Sequence, residues 1–134
     1  MIVSLLAVAQ KVIYDRFEET LSIIGVVEEI AAESLPFKLP VVYVVAYFDL
    51  EPRELQELEG SDQALALSTL IKFKINDQIL LEQRGEIVFR KGHQRHRLVA
   101  NFRDLTISKE DTLELIVESN NIQVGQYSIR VRKG

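Results

Sequence analysis

The chain has 134 residues, 27% of them charged and 47% hydrophobic, with no cysteine and a formal net charge of −4. That length suits one domain burying roughly two thirds of its unfolded surface, and the lack of cysteine excludes disulfides, thiolate metal sites and a cysteine nucleophile. No apolar run approaches the roughly 20 residues of a membrane-spanning helix, and no basic segment precedes Ala7-Val8-Ala9 as it would in a signal peptide, so a cytoplasmic protein without a membrane span is expected.

In chain order, Ile2 to Ala9 is apolar enough for a buried strand, and Thr20 to Val27 supplies a second with Leu21, Ile23 and Val27 on one parity. The polar stretch Tyr14 to Glu19 links them like a hairpin. Residues Thr20 to Glu33 also carry helix-favouring glutamates and alanines, but Gly25 in mid-run costs a helix roughly 1 kcal/mol. Strand is preferred to about Ile30, followed by a loop held extended by Pro36 and Pro40.

Pro40 to Leu50 is the longest uninterrupted apolar run and reads as the central strand. Alternation puts Val41, Tyr43, Val45 and Tyr47 on one face and Val42, Val44, Ala46 and Phe48 on the other. Both faces need cover, one from a second layer and the other from loops or a partner. Glu51 to Asp62 then reads as an acidic connection with one helical turn begun at Pro52.

Leu65 to Ile75 alternates with Leu65, Leu67, Ile71, Phe73 and Ile75 inward. Asn76-Asp77-Gln78 is turn chemistry, Ile79 to Gln83 returns as a hairpin arm, and beyond Gly85 a further strand, Glu86 to Arg90, points Ile87 and Phe89 inward. Gln94 to Arg103 places His96, Leu98, Ala100 and Phe102 inward with Arg95, Arg97, Asn101 and Arg103 outward, before a connection from Asp104 to Glu110. Asp111 to Glu118 and Gln126 to Lys133 close the series, hiding Leu113, Leu115, Val117, Tyr127, Ile129 and Val131. About nine short strands, one or two helical turns and no linker describe an all-β fold: a single antiparallel β-sandwich domain spanning residues 1–134.

Ser22-Ile23-Ile24-Gly25-Val26-Val27, Ile30, Leu35-Pro36, the Pro40-to-Phe48 run and Gly125-Gln126-Tyr127 together resemble a family of short bacterial proteins known only as a domain of unknown function. The Cys-Asp pair that commonly follows the first strand in that family is replaced here by Ala9-Gln10. The resemblance implies an immunoglobulin-like or C2-like β-sandwich with no assigned activity, and it carries no catalytic residue to this chain.

Residues 1–64 hold 12 acidic and 4 basic groups, and residues 65–134 hold 8 acidic and 12 basic. One reading is two sheets with complementary faces; the other is a basic patch that meets an anion. Arg90, Lys91, Arg95 and Arg97, around Gly92, are the candidate anion-binding or partner-binding residues. Nucleic acid is disfavoured by the acidic net charge and by the lack of aromatics interleaved with these arginines. His93 and His96 are three apart, which on one strand puts them on opposite faces, and no carboxylate cluster completes a metal set.

No Gly-x-Ser-x-Gly elbow and no glycine-rich phosphate loop opening a helix occurs. The expectation is a non-enzymatic binding or scaffolding module without cofactor or metal. It would act through a protein partner or as a homodimer, with anion binding as the alternative.

Overall fold

Segments rich in Val, Ile, Leu and aromatic residues, punctuated by Asn, Asp and Gly, favour paired strands over helices. The computed structural model describes residues 1–134 and comprises β1 (Ile2–Asp15), β2 (Thr20–Val26), β3 (Glu29–Ala32), β4 (Phe37–Asp49), α1 (Pro52–Glu59), β5 (Leu65–Ile75), β6 (Gln78–Phe89), β7 (Arg95–Ile107), β8 (Thr112–Ser119) and β9 (Ile122–Lys133). Two sheets form, ordered β2-β1-β4-β7 and β3-β9-β8-β5-β6. All pairings are antiparallel except that of β3 with β9. No helix is long and apolar enough to cross a membrane.

The core lies between the sheets. Val42, Val44, Ala46 and Phe48 of β4 face Ile71, Phe73 and Ile75 of β5 and Leu113, Leu115 and Val117 of β8, all buried. Phe73 meets Phe102 edge to face with ring centroids 4.9 Å apart, an arrangement the aromatic quadrupole favours. At one end α1 adds the buried Leu58, and the helix starts at Pro52 behind a reciprocal cap between Glu51 and Glu54. Burial opposes ionisation of Glu54, yet hydrogen bonds from the Met1 amino group and the Glu51 N–H overcome it and hold the carboxyl below its usual range.

Turn chemistry sets the hairpins. Asn120 and Asn121 both take positive φ, 51° and 67°, between the facing residues Ser119 and Ile122, as a two-residue turn of the primed type requires. Gly125 lies where β9 comes against β1 of the other sheet: a Cβ there would stand 3.2 Å from Val3 Cγ2. Two residues on, the Tyr127 hydroxyl donates to the Val27 carbonyl at 2.8 Å and ties β9 to the segment between β2 and β3. The Gly-x-Tyr motif thus joins the two sheets at one edge.

Several sequence expectations are corrected. Nine strands form, but their partition differs. Residues 78–89 make one continuous β6, because Gly85 stays extended opposite Thr69. The strand expected from Thr20 to Ile30 breaks after Val26, and Glu29–Ala32 crosses to the other sheet as β3. Pro40 lies inside β4, and β7 runs on to Ile107 with Leu105 and Ile107 fully buried. Pro40 and Asp104, whose φ is 58°, fall between the Leu39–Leu105 and Val41–Arg103 pairs. There the inward parity switches, so the alternation that ends at Phe102 resumes on odd numbers. The acidic connection after β4 contains an eight-residue helix.

The largest departure is β1. Its first half pairs with β4 as far as Ala9 opposite Tyr43; its second half pairs only with β2. Continued straight at about 3.3 Å per residue, Tyr14 would lie about 30 Å along the strand from Leu5, the residue level with Tyr47 and Arg97. Instead the Arg97 guanidinium stands 5.4 Å from the centre of the Tyr14 ring. The β1–β2 ribbon therefore doubles back over the outer face of its own sheet. The bend falls at the unpaired step between Ala9–Val26 and Lys11–Ile24, where Gly25 takes φ +68° and a Cβ would approach Gln10 Oε1 to 2.6 Å.

Two stability predictions follow from these positions. Gly25→Ala is expected to cost about 1–2 kcal/mol in urea unfolding, mostly for the positive φ, so removing the Gln10 side chain as well restores only a small part. Thr69 is buried with its Oγ1 unpartnered, and Thr69→Val is expected to raise stability by about 1 kcal/mol by the same measurement.

Candidate interaction surface

The outer face of the four-stranded sheet brings Ala7 and Ala9 of β1 beside Tyr43, Val45 and Tyr47 of β4 and Val99 of β7. Ala9 and Val45 are 0% exposed although they point away from the core between the sheets. What shields them is the chain's own ribbon. Its Val12, Leu21 and Ile23 share one half-buried face with Tyr14, while the opposite face presents the exposed Ile13, Ile24 and Val26.

The predicted basic residues do not converge. Arg90 and Lys91 sit exposed at the β6–β7 turn beside Asp62 and Gln63, where Gly92 takes φ +85°. Arg95 makes a two-pronged ion pair with Asp49, Nε to Oδ1 at 2.7 Å and Nη2 to Oδ2 at 3.1 Å, and lies over the Tyr47 ring. That hydrogen bond holds the Asp49 carboxyl below its usual range. Arg97 is stacked on Tyr14. Arg132 is paired with Glu29 on the other sheet. Two members of the candidate set are thus engaged within the chain and two stand on a turn.

The expected complementary charges on two sheets take a different form, because the ion pairs lie within sheets: Lys72 with Glu118 at 2.8 Å, Lys74 with Glu114 at 3.8 Å, and Lys38 with Asp104 at 3.7 Å. His93 is exposed in the turn, and His96 lies 6.1 Å from the Phe89 ring. Neither lines any of the five principal surface hollows. No three His, Cys, Asp or Glu side chains gather in a way that could hold a metal ion.

A different surface stands out. Nine large hydrophobic side chains are exposed, and five of them, Ile13, Tyr14, Phe17, Ile24 and Val26, belong to the β1–β2 ribbon. Phe17, at the tip, is 99% exposed. The tip nonetheless forms a hydrogen-bonded turn: the Asp15 carboxylate accepts from the N–H groups of Phe17 at 2.9 Å and Glu18 at 3.2 Å, and Glu19 takes φ 54°. An aromatic ring held in water by a well-formed turn is a large apolar contact left unsatisfied within the chain. The signal lay in the sequence as the lone aromatic in Asp15-Arg16-Phe17-Glu18-Glu19, but that stretch reads as a polar link until its ring is seen to project into water.

Comparison with known proteins adds one match. No curated protein matches the chain. The sequence model of a family described as a family of unknown function (DUF6941) matches residues 4–132. That match takes in all or most of every strand, the Gly25 bend, the ribbon and the Gly125-Gln126-Tyr127 closure, and the chain therefore belongs to this family.

Proposed function

We propose that this chain is a non-enzymatic, cytoplasmic binding module that docks another protein through its β1–β2 ribbon. The observation that carries the reading is the concentration of exposed large hydrophobics between Ile13 and Val26, crowned by Phe17. Exposed aromatic and aliphatic anchors clustered on one ordered element are the material of interface hot spots.

An immunoglobulin-like assignment supports the reading. The order β1-β4-β7 in one sheet and β9-β8-β5 in the other corresponds to the A-B-E and G-F-C strands of that sandwich. On that plan the ribbon is an addition to the sandwich. Its half-buried face covers the sheet, but that role leaves Phe17 and the Ile13–Ile24–Val26 face unexplained. The two-sided central strand gives no separate argument for a homodimer, since its second face is covered by the same chain.

Affinity purification of the intact protein from its own cell, quantified against variants, tests this. Phe17→Ser with Ile24→Ser is expected to leave the unfolding midpoint nearly unchanged, as surface substitutions do, and to reduce the retained partner at least about tenfold. Arg90→Glu with Lys91→Glu is expected to leave retention intact. Retention unaffected by the ribbon changes overturns the proposal. So does binding of phosphorylated ligands, anionic vesicles or oligonucleotides that is lost on reversing Arg90 and Lys91, which would make the module an anion binder.

A further inference from the structure

In sheet order the edge strands are β2 and β7 in one sheet and β3 and β6 in the other; β1 is also open on one side, over its first residues, where Gly125 of β9 lies against Val3 and Leu6, and over the ribbon, where it carries Lys11 and Asp15. Exposed edges invite pairing with a foreign strand, and proteins blunt them with charge, brevity, kinks or cover. Three of these edge strands are blunted. β7 carries Arg95, Arg97, Arg103 and the positive-φ Asp104, and β6 carries Glu82, Arg84 and Glu86. The two also lie beside each other, with Gln83 Nε2 donating to the Asn101 carbonyl. β3 has four residues and an ion pair between Glu29 and Arg132.

β2 is the exception. Thr20-Leu21-Ser22-Ile23-Ile24 has no charge and no proline before the Gly25 bend, and β1 is its only strand partner. Five extended residues offer about 17 Å of edge. Along that edge alternate backbone N–H and C=O groups point away from β1.

The ends of this edge are charged alike. The turn before it holds Asp15, Glu18 and Glu19 against the single Arg16, and Glu28 follows it. Glu28 shares a hollow with Glu110, Asp111 and one arginine, Arg130. Two copies pairing antiparallel about Ser22 would bring the net-negative turn of each, Asp15 to Glu19, to the end of the other that carries Glu28, and parallel copies in register would set each acid against itself. Like charges across a strand pair are destabilising. The acids therefore work against self-association while attracting cations to both ends of an apolar edge.

We propose that the open edge of β2 accepts an extended segment of a different protein as an added strand, apolar at alternate positions in the middle and carrying Lys or Arg at both ends. This rests on the ribbon being the docking element and specifies the partner's chemistry. The backbone edge supplies main-chain hydrogen bonds. Leu21 and Ile23 on one face, with Ile24 on the other, flank the incoming side chains.

The test uses the intact protein and three labelled peptides sharing a Thr-Val-Thr-Val-Thr core: one flanked by Lys-Lys at both ends, one by Glu-Glu, and one Lys-flanked but N-methylated at alternate core amides. The Lys-flanked peptide is expected to bind at least about tenfold more tightly than either of the others and to weaken with salt. It is also expected to slow hydrogen exchange at β2 amides. Glu18→Lys with Glu28→Lys, both at exposed positions, is expected to abolish the preference for basic flanks. Equal binding of all three peptides, or none, overturns the inference. So does a dimer in sedimentation that Ile24→Lys dissolves, since the occupant would then be a second copy. If the peptides fail while a partner is still lost on Phe17→Ser with Ile24→Ser, only the strand-addition inference falls; if neither depends on the ribbon, the docking function falls with it.

Discussion

The structure depends on covering both faces of β4. Its inner residues Val42, Val44, Ala46 and Phe48 lie against the second sheet, where hydrophobic burial needs no special device. Its outer residues Tyr43, Val45 and Tyr47 would otherwise leave an apolar sheet face in water. The chain meets that need by bending its first hairpin back on itself. The bend requires a residue that takes positive φ beside Gln10, which is why glycine stands at position 25 in a strand that otherwise has no use for one.

That solution has a consequence at the surface. A ribbon laid over a sheet has two faces and two free edges, and only one face is used in covering β4. The other displays Ile13, Ile24 and Val26, the tip displays Phe17, and the β2 edge displays an uncharged strand. The same bend that completes the fold thus leaves an apolar face and an aromatic tip turned to solvent. Residues that close the molecule, Gly125 and Tyr127, lie on the opposite sheet and hold the root of the ribbon through Val3, Leu6 and Val27.

The arginines illustrate how context decides the meaning of charge. Arg95 and Arg97 alternate outward as expected, but both are occupied, one by the Asp49 carboxylate and the Tyr47 ring and the other by Tyr14. An arginine whose donors are already engaged with a carboxylate has less to offer an external anion. Arg90 and Lys91 stay solvated on a turn, where holding two long side chains in one geometry carries an entropic cost.

Much of the sandwich is legible in the sequence because alternation is a local signal. Leu113, Leu115 and Val117, Ile129 and Val131, and Ile71, Phe73 and Ile75 are buried where period-two patterning puts them, and the demand for cover on both faces of residues 41–48 is written in the apolar run itself. Parity fails where backbone geometry overrides it: at Pro40 and Asp104 the buried face switches, and at Gly85 a strand continues through an apparent stop. Only the tertiary structure decided that β3 leaves its hairpin to pair with β9, that Arg95 and Arg97 are already engaged, and that residues 10–25 fold back to leave Phe17 and the β2 edge exposed. Those outcomes depend on contacts between residues far apart in the chain, and a period read along one strand carries no information about which distant surface that strand will meet.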